Sequence, residues 1–202
     1  MKLECLNGKN TSSIRRHNMA KGGSFEREVC AKLSKWFTED ERDDIFYRSA
    51  GSGGRFTARK KAGKDTIHGA GDVIISDPSG KPLMDKWSIE CKTGYGTKRN
   101  GDLIRWDVID FLDSKQKDPV LQKMWEQCER DADLTHREPI LIFRRNGRTP
   151  CIMIRHQYYL QLHGVFGGFY GDFIIIEAGK LFCVIFPLSQ FFEWIPNIRM
   201  VL

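Results

Sequence analysis

The chain has 202 residues, 41% hydrophobic and 29% charged, values that fit a folded globular domain and exclude a disordered or fibrous chain. Lys and Arg number 32 against 26 Asp and Glu, a net charge of +6, which favours a polyanionic partner. The amino terminus "MKLECLNGKN" lacks an apolar signal-peptide core and no apolar run is long enough to cross a bilayer, so the expectation is a soluble, cytoplasmic protein with no membrane partner.

In chain order, residues 1–22 carry Lys9, Arg15, Arg16 and Lys21 against one acid, Glu4, and suggest a flexible basic arm. Ser24 is a candidate N-cap for a helix through Phe37 with the apolar stripe Phe25, Val29, Cys30, Leu33, Trp36 and Phe37. At about 100° per residue, Glu26 falls near the middle of that stripe. An acid facing the core needs a reason. "DIFYRSAG" follows as a strand, then a Gly-rich basic loop to about Ala70, then "GDVIISD" as a second strand. "DPSGKP" is a turn, from which "DKWSIECKT" is expected to return antiparallel to the second strand.

Within "WSIECKTG", period-2 alternation sets Trp87, Ile89 and Cys91 on one face and Ser88, Glu90 and Lys92 on the other. Helical spacing resumes around "IRWDVIDFLD", and a second helix is expected from Asp118 with Pro119 at its first position. "PILIFRR" and "PCIMIRH" pair around the turn "NGRT"; "FIIIEAGKLFCVIF" reads as a further hairpin and "SQFFEWI" as a short closing helix. Tyr158 and Tyr159 are assigned to packing. Six cysteines, at 5, 30, 91, 128, 151 and 183, include no CxxC and no His partner at zinc-finger spacing, which argues against structural zinc. A lone His68 in the loop has no zinc partner either.

The order helix, strand, strand, strand, with acids at Glu26, Asp72 and Glu90 and an amine at Lys92, suits metal-dependent phosphodiester hydrolysis. Asp72 and Glu90 on neighbouring strands can converge on a hard divalent cation. Such a cation lowers the pKa of a bound water, and Lys92 can orient that water or offset developing charge. Taken singly, each residue has an ordinary structural explanation; the four in order point to a site.

"KGGSFEREV", "YRSAG", an Asp before a strand and "IECK", in that order over the first two-thirds of the chain, resemble the archaeal-type Holliday junction resolvases of the PD-(D/E)XK nuclease superfamily, including phage and prophage versions. The resemblance implies an α/β fold, with a restriction-endonuclease-like core of a mixed central sheet flanked by helices. It also implies a homodimer and Mg²⁺-dependent cleavage of branched DNA, with Mn²⁺ able to substitute. Residue by residue it implies Glu26, Asp72, Glu90 and Lys92 as catalytic, with Asp72, Glu90, Glu26 and the Cys91 carbonyl holding the metal. Arg27, Arg48, Ser49 and Ser52 would contact DNA, and Gln127 would flank the site.

Gly71 stands where the superfamily name has proline, and residues from about 53 to 70 form an insertion. Its Arg55, Arg59, Lys60, Lys61 and Lys64, with no acid in "RFTARKKAGK", are assigned to phosphate contact, the alternative being a solvated loop. The expected organisation is an arm at 1–22, a nuclease core at 23–160 and a C-terminal hairpin and helix extension at 161–202, with "FIIIE" and "LFCVIF" belonging to core or interface. A restriction-like or repair nuclease acting on duplex, nicked or flap DNA, and an inactive junction-binding protein, remain alternatives.

Overall fold

The structure is a computed structural model that describes residues 10–49, 71–94, 96–97, 103–115, 118–196 and 198. It has helix α1 (Asn10–Phe37), strands β1 (Phe46–Arg48) and β2 (Val73–Ile75), a 3-10 turn (Pro78–Gly80) and α2 (Lys81–Lys86). β3 (Trp87–Thr93), the short pair β4 (Gly96–Thr97) and β5 (Leu103–Ile104), α3 (Asp110–Asp113) and α4 (Val120–Asp133) follow. The chain continues through β6 (Glu138–Arg144), β7 (Cys151–Arg155), α5 (His156–Phe166), β8 (Ile174–Ala178), β9 (Leu181–Pro187) and α6 (Leu188–Trp194).

The central sheet has five strands in the order β3-β6-β7-β9-β8. β3 and β6 run parallel, with Glu90 beside Leu141, and the other pairs are antiparallel. A parallel pair requires a crossover, and α4 supplies it. Both faces are covered, as the apolar content of β6 and β9 demands. One layer joins Phe25, Val29 and Leu33 of α1 to Ile140, Ile142, Val184 and Phe186 of the sheet and Phe191 of α6. The other packs Leu121, Trp125 and Cys128 of α4 against Leu141, Phe143, Met153 and Ile185.

Phe186 sits in an aromatic cluster with Tyr159, Phe169, Phe173, Phe191 and Trp194. Tyr158 is buried there, its hydroxyl accepting from Trp87 Nε1 at 2.7 Å. Of the cysteines described, all five are free and only Cys151 is not buried. No helix among the described residues is long and apolar enough to cross a membrane.

Several elements differ from the sequence reading. α1 begins at Asn10, so Ser24 lies inside it rather than capping it; the 10–22 stretch lacks an apolar stripe, and propagation from a packed helix costs far less than nucleation. Residues 1–9 lie outside the described residues. The turn after β2 is a 3-10 turn, capped by Asp77, whose side chain accepts from Ser79 N, followed by α2. β3 pairs in parallel with β6, and no β2–β3 ladder forms among the described residues, where β2 pairs with β1 instead. Only Asp110–Asp113 of "IRWDVIDFLD" is helical, and Pro119 is the N-cap of α4. The expected boundary at 160 falls inside α5, and the hairpin β8–β9 completes the same sheet through β7–β9 pairing.

Candidate active site

Asp72 is held at the open edge of β3. Its N–H donates to Ile89 O at 2.8 Å, its carbonyl accepts from Ser49 N at 2.7 Å, and its Oδ2 accepts from Cys91 N at 2.9 Å. The carboxylate thus takes a rung that a neighbouring strand's carbonyl would otherwise fill. Gly71, just before it, has φ +89, and a Cβ there would lie 2.5 Å from Ile89 O. Both facts exclude proline, whose φ is fixed near −65°, so the departure from the superfamily pattern has a backbone cause.

Glu90 comes from the middle of β3 and is 3% exposed. It belongs to the α4 face, so its Oε1 accepts from Gln127 Nε2 on α4 at 3.1 Å and from Lys92 Nζ, two residues along the same face. The face that might have been a solvated sheet surface is buried, Ser88 included. Burial, followed by the negative charge of Asp72, pushes the Glu90 carboxyl up, and Lys92 opposes this. Asp72 is raised by burial against the Cys91 N–H and Lys92. Burial works against the Lys92 charge, yet Glu90 and Asp72 hold its pKa above the ordinary value.

Glu26, on the packed turn of α1, lies 3.0 Å from Arg48 Nε as an ion pair, out of line for a hydrogen bond. Gly23 makes room for this arginine, since a Cβ there would come within 2.6 Å of Arg48 Nη1. Ser34, also on α1, donates to Cys30 O at 2.8 Å and accepts from Phe46 N at 3.0 Å, tying the helix to β1. The Glu26 charge reaches Asp72 and raises its pKa further.

Three observations bear on a divalent cation. Glu90 Oε2 is buried with no hydrogen-bond partner, burial holds both carboxyls toward protonation against the opposing charge of Lys92, and the Cys91 carbonyl lies on the same strand edge as its N–H, which donates to Asp72. Among the described residues no three acidic, His or Cys side chains group closely enough to hold a metal alone. The Asp72 and Glu90 carboxylates are hard oxygen donors, the type that divalent cations retaining several waters take. Burial raises the Cys91 thiol well above its ordinary pKa, so it is no thiolate ligand.

The structure brings together Asp72, Glu90, Lys92 and Gln127, with the Glu26–Arg48 pair beside them. Glu26 is paired with arginine rather than grouped with two other acids. Arg27 is exposed on α1, and Ser49 contributes a backbone contact. Ser52, Arg55, Arg59, Lys60, Lys61, Lys64 and His68 lie outside the described residues. Sequence reasoning missed Gly23 and the conformational demand on Gly71; the pair Gly22–Gly23 inside a helical pattern was the available signal. It also missed Asp131, one helical turn beyond Gln127, whose charge reaches Glu90 and which burial holds toward protonation.

Neither a curated protein nor a solved structure matches the chain. One family model, described as "Phage putative PDDEXK endonuclease", matches residues 17–176. The matched span holds Glu26, Arg48, Asp72, Glu90, Lys92 and Gln127, and PD-(D/E)XK nucleases generally work with divalent metals. With most of its length matched and its fold in agreement, the chain belongs to this phage family of PD-(D/E)XK endonucleases.

Proposed function

We propose that the chain is a structure-selective DNA endonuclease that cuts four-way junctions, using Mg²⁺, with Mn²⁺ able to substitute, and leaving 5′-phosphate and 3′-hydroxyl ends. The observation that carries the hydrolytic reading is the buried Asp72–Glu90–Lys92 knot with its one unpartnered carboxylate oxygen. The junction preference is supported by the four motifs in resolvase order. Asp72, Glu90 and the Cys91 carbonyl would hold the cation, which when bound polarises the phosphoryl oxygen and acidifies water.

The chain's own residues do the rest. Gln127 and Lys92 both donate to Glu90 Oε1 and leave Oε2 buried without a partner, free for a cation. Lys92 holds a proton at Nζ beside the scissile bond, where it offsets charge on the phosphoryl group. Arg48, steadied by Glu26 and seated over Gly23, meets a neighbouring phosphate. Arg27, Ser49, Ser52 and the basic insertion add backbone contacts. Overall, a water oxygen bonds to phosphorus, the bond to the 3′-oxygen breaks, and the water proton ends on that leaving oxygen.

The test compares cleavage of a labelled four-way junction with duplex, nicked, flap and single-stranded DNA in Mg²⁺. Preferential paired nicks at the junction support the proposal. Equal or better cutting of duplex or flap DNA replaces it with the restriction-like or repair reading, and tight junction binding without cleavage replaces it with an architectural one.

A further inference from the structure

Helix α4 carries acids on both flanks, and the fold treats them differently. At about 100° per residue its buried stripe runs through Leu121, Trp125, Cys128 and Ala132. Glu129 and Asp133 fall on the flank toward β7, where both meet Arg155, at 3.1 and 2.8 Å. Met124, Gln127 and Asp131 fall on the opposite flank, toward β3, where Gln127 Nε2 donates to Glu90 Oε1 at 3.1 Å. Asp131 stands one turn further along, half-buried, and among the described residues its carboxylate has no hydrogen-bond donor and no ion pair. Arg130, next to it in the chain, is exposed and acts on it through charge alone. The Asp131 charge reaches Glu90 and Lys92, which places it beside the catalytic knot.

A half-buried acid without a counter-charge costs stability, and here it lies near Glu90, which is 3% exposed with its Oε2 unpartnered. Glu26 is matched by Arg48, so the described site holds three further carboxylates, Asp72, Glu90 and Asp131, against the single ammonium of Lys92. Two negative charges are left over, as many as one divalent cation cancels. On the β7 flank the same helix meets its acids with an arginine; on the β3 flank no described residue supplies the compensating charge. We infer that Asp131 is a positioning residue of the cation site, an outer carboxylate that accepts hydrogen bonds from the cation's waters while Asp72 and Glu90 bind it directly. The inference rests on the cation reading of Asp72 and Glu90. The described acids do not close into a three-ligand group, which sets Asp131 outside the direct ligands. A hard cation that keeps several waters is held by acceptors for those waters as well as by its direct ligands, and such outer partners typically carry about 10–100-fold in metal affinity or activity. Through Gln127 and Asp131, one helix edge fixes both a direct ligand and the water shell.

Binding of Mn²⁺ to the DNA-free protein, followed by loss of the free-ion electron paramagnetic resonance signal, tests this without any cleavage. Asp131→Asn should bind Mn²⁺ roughly tenfold more weakly than the wild type, and Asp131→Glu should recover part of the loss. Asp133→Asn, which removes the same charge from the other flank, should bind as the wild type does. All three variants should keep the wild-type circular dichroism spectrum. In cleavage of a four-way junction, Asp131→Asn should need more Mg²⁺ for its half-maximal rate yet approach the wild-type rate at saturation, a split that a merely structural role does not give. Equal Mn²⁺ affinity in the wild type and Asp131→Asn, or an equal loss in Asp133→Asn, would overturn the inference and leave the Asp72–Glu90 site standing. A wild type that binds no Mn²⁺ would overturn both.

Discussion

Glu90 shows how a buried carboxyl opposes folding. Its carboxyl is buried beside Asp72, and its folded pKa is raised to about 7. A raised acid pKa means the folded chain binds the proton more tightly than the unfolded one, so the group weakens the fold as pH rises from the ordinary carboxylate range through about 7. In metal-free buffer, Glu90→Gln should therefore stabilise the protein by about 1–3 kcal/mol at pH 8 and by little at pH 5. Asp72 remains as the counter-charge of Lys92. Thermal melts of both proteins at the two pH values check this, and an equal or lower melting point for the variant at pH 8 contradicts it. Gly71 makes the complementary case: Gly71→Ala must place a Cβ against Ile89 O at positive φ, at a cost of roughly 1–3 kcal/mol. Displacing Asp72 should lower kcat far more than DNA affinity, measured by turnover against equilibrium binding.

At the scale of elements, the sequence pattern was legible where one periodicity dominated. The stripe of α1 from Phe25 to Phe37, the hairpin β6–β7, strand β9 and the helices α4 and α6 all have buried faces. The parallel pairing of β3 with β6 was not legible, because it depends on how the crossover through α4 packs across the sheet rather than on the pattern within β3. The Glu26–Arg48 contact was equally hidden, since it depends on the missing side chain of Gly23 across two elements. Asp72, Glu90 and Lys92 could be found because their short motifs recur in order; that Gln127 shares an oxygen of Glu90 required α4 to be placed. Between Ser49 and Gly71, both anchored next to the site, lies the basic insertion. Replacing Arg59, Lys60 and Lys61 with Ala should flatten the salt dependence of log K by about 1 per lost phosphate contact. An unchanged slope means a solvated loop.

For the molecule as a whole, a sheet covered on both faces holds the site rigidly at one edge. The layer of α1, α5 and α6 supports it through Phe186, whose removal to Ala should cost about 3–5 kcal/mol in urea unfolding; a cost under about 1 kcal/mol would show that the aromatic cluster is not part of the cooperative core. The rings around Phe186, those of Tyr159, Phe169, Phe173, Phe191 and Trp194, belong to no site residue, so binding and turnover of the folded fraction should be retained. Rigidity matters because the hydrolytic reading depends on two carboxylates from different strands meeting at a fixed place. The most direct measurement is cleavage and binding of a labelled four-way junction by the wild type and Asp72→Asn, with Mg²⁺ and with EDTA. The account predicts cutting by the wild type with Mg²⁺ alone, loss of turnover by orders of magnitude in Asp72→Asn, and junction binding by the variant no weaker than that of the wild type. Turnover retained by Asp72→Asn, or undiminished in EDTA, would contradict it.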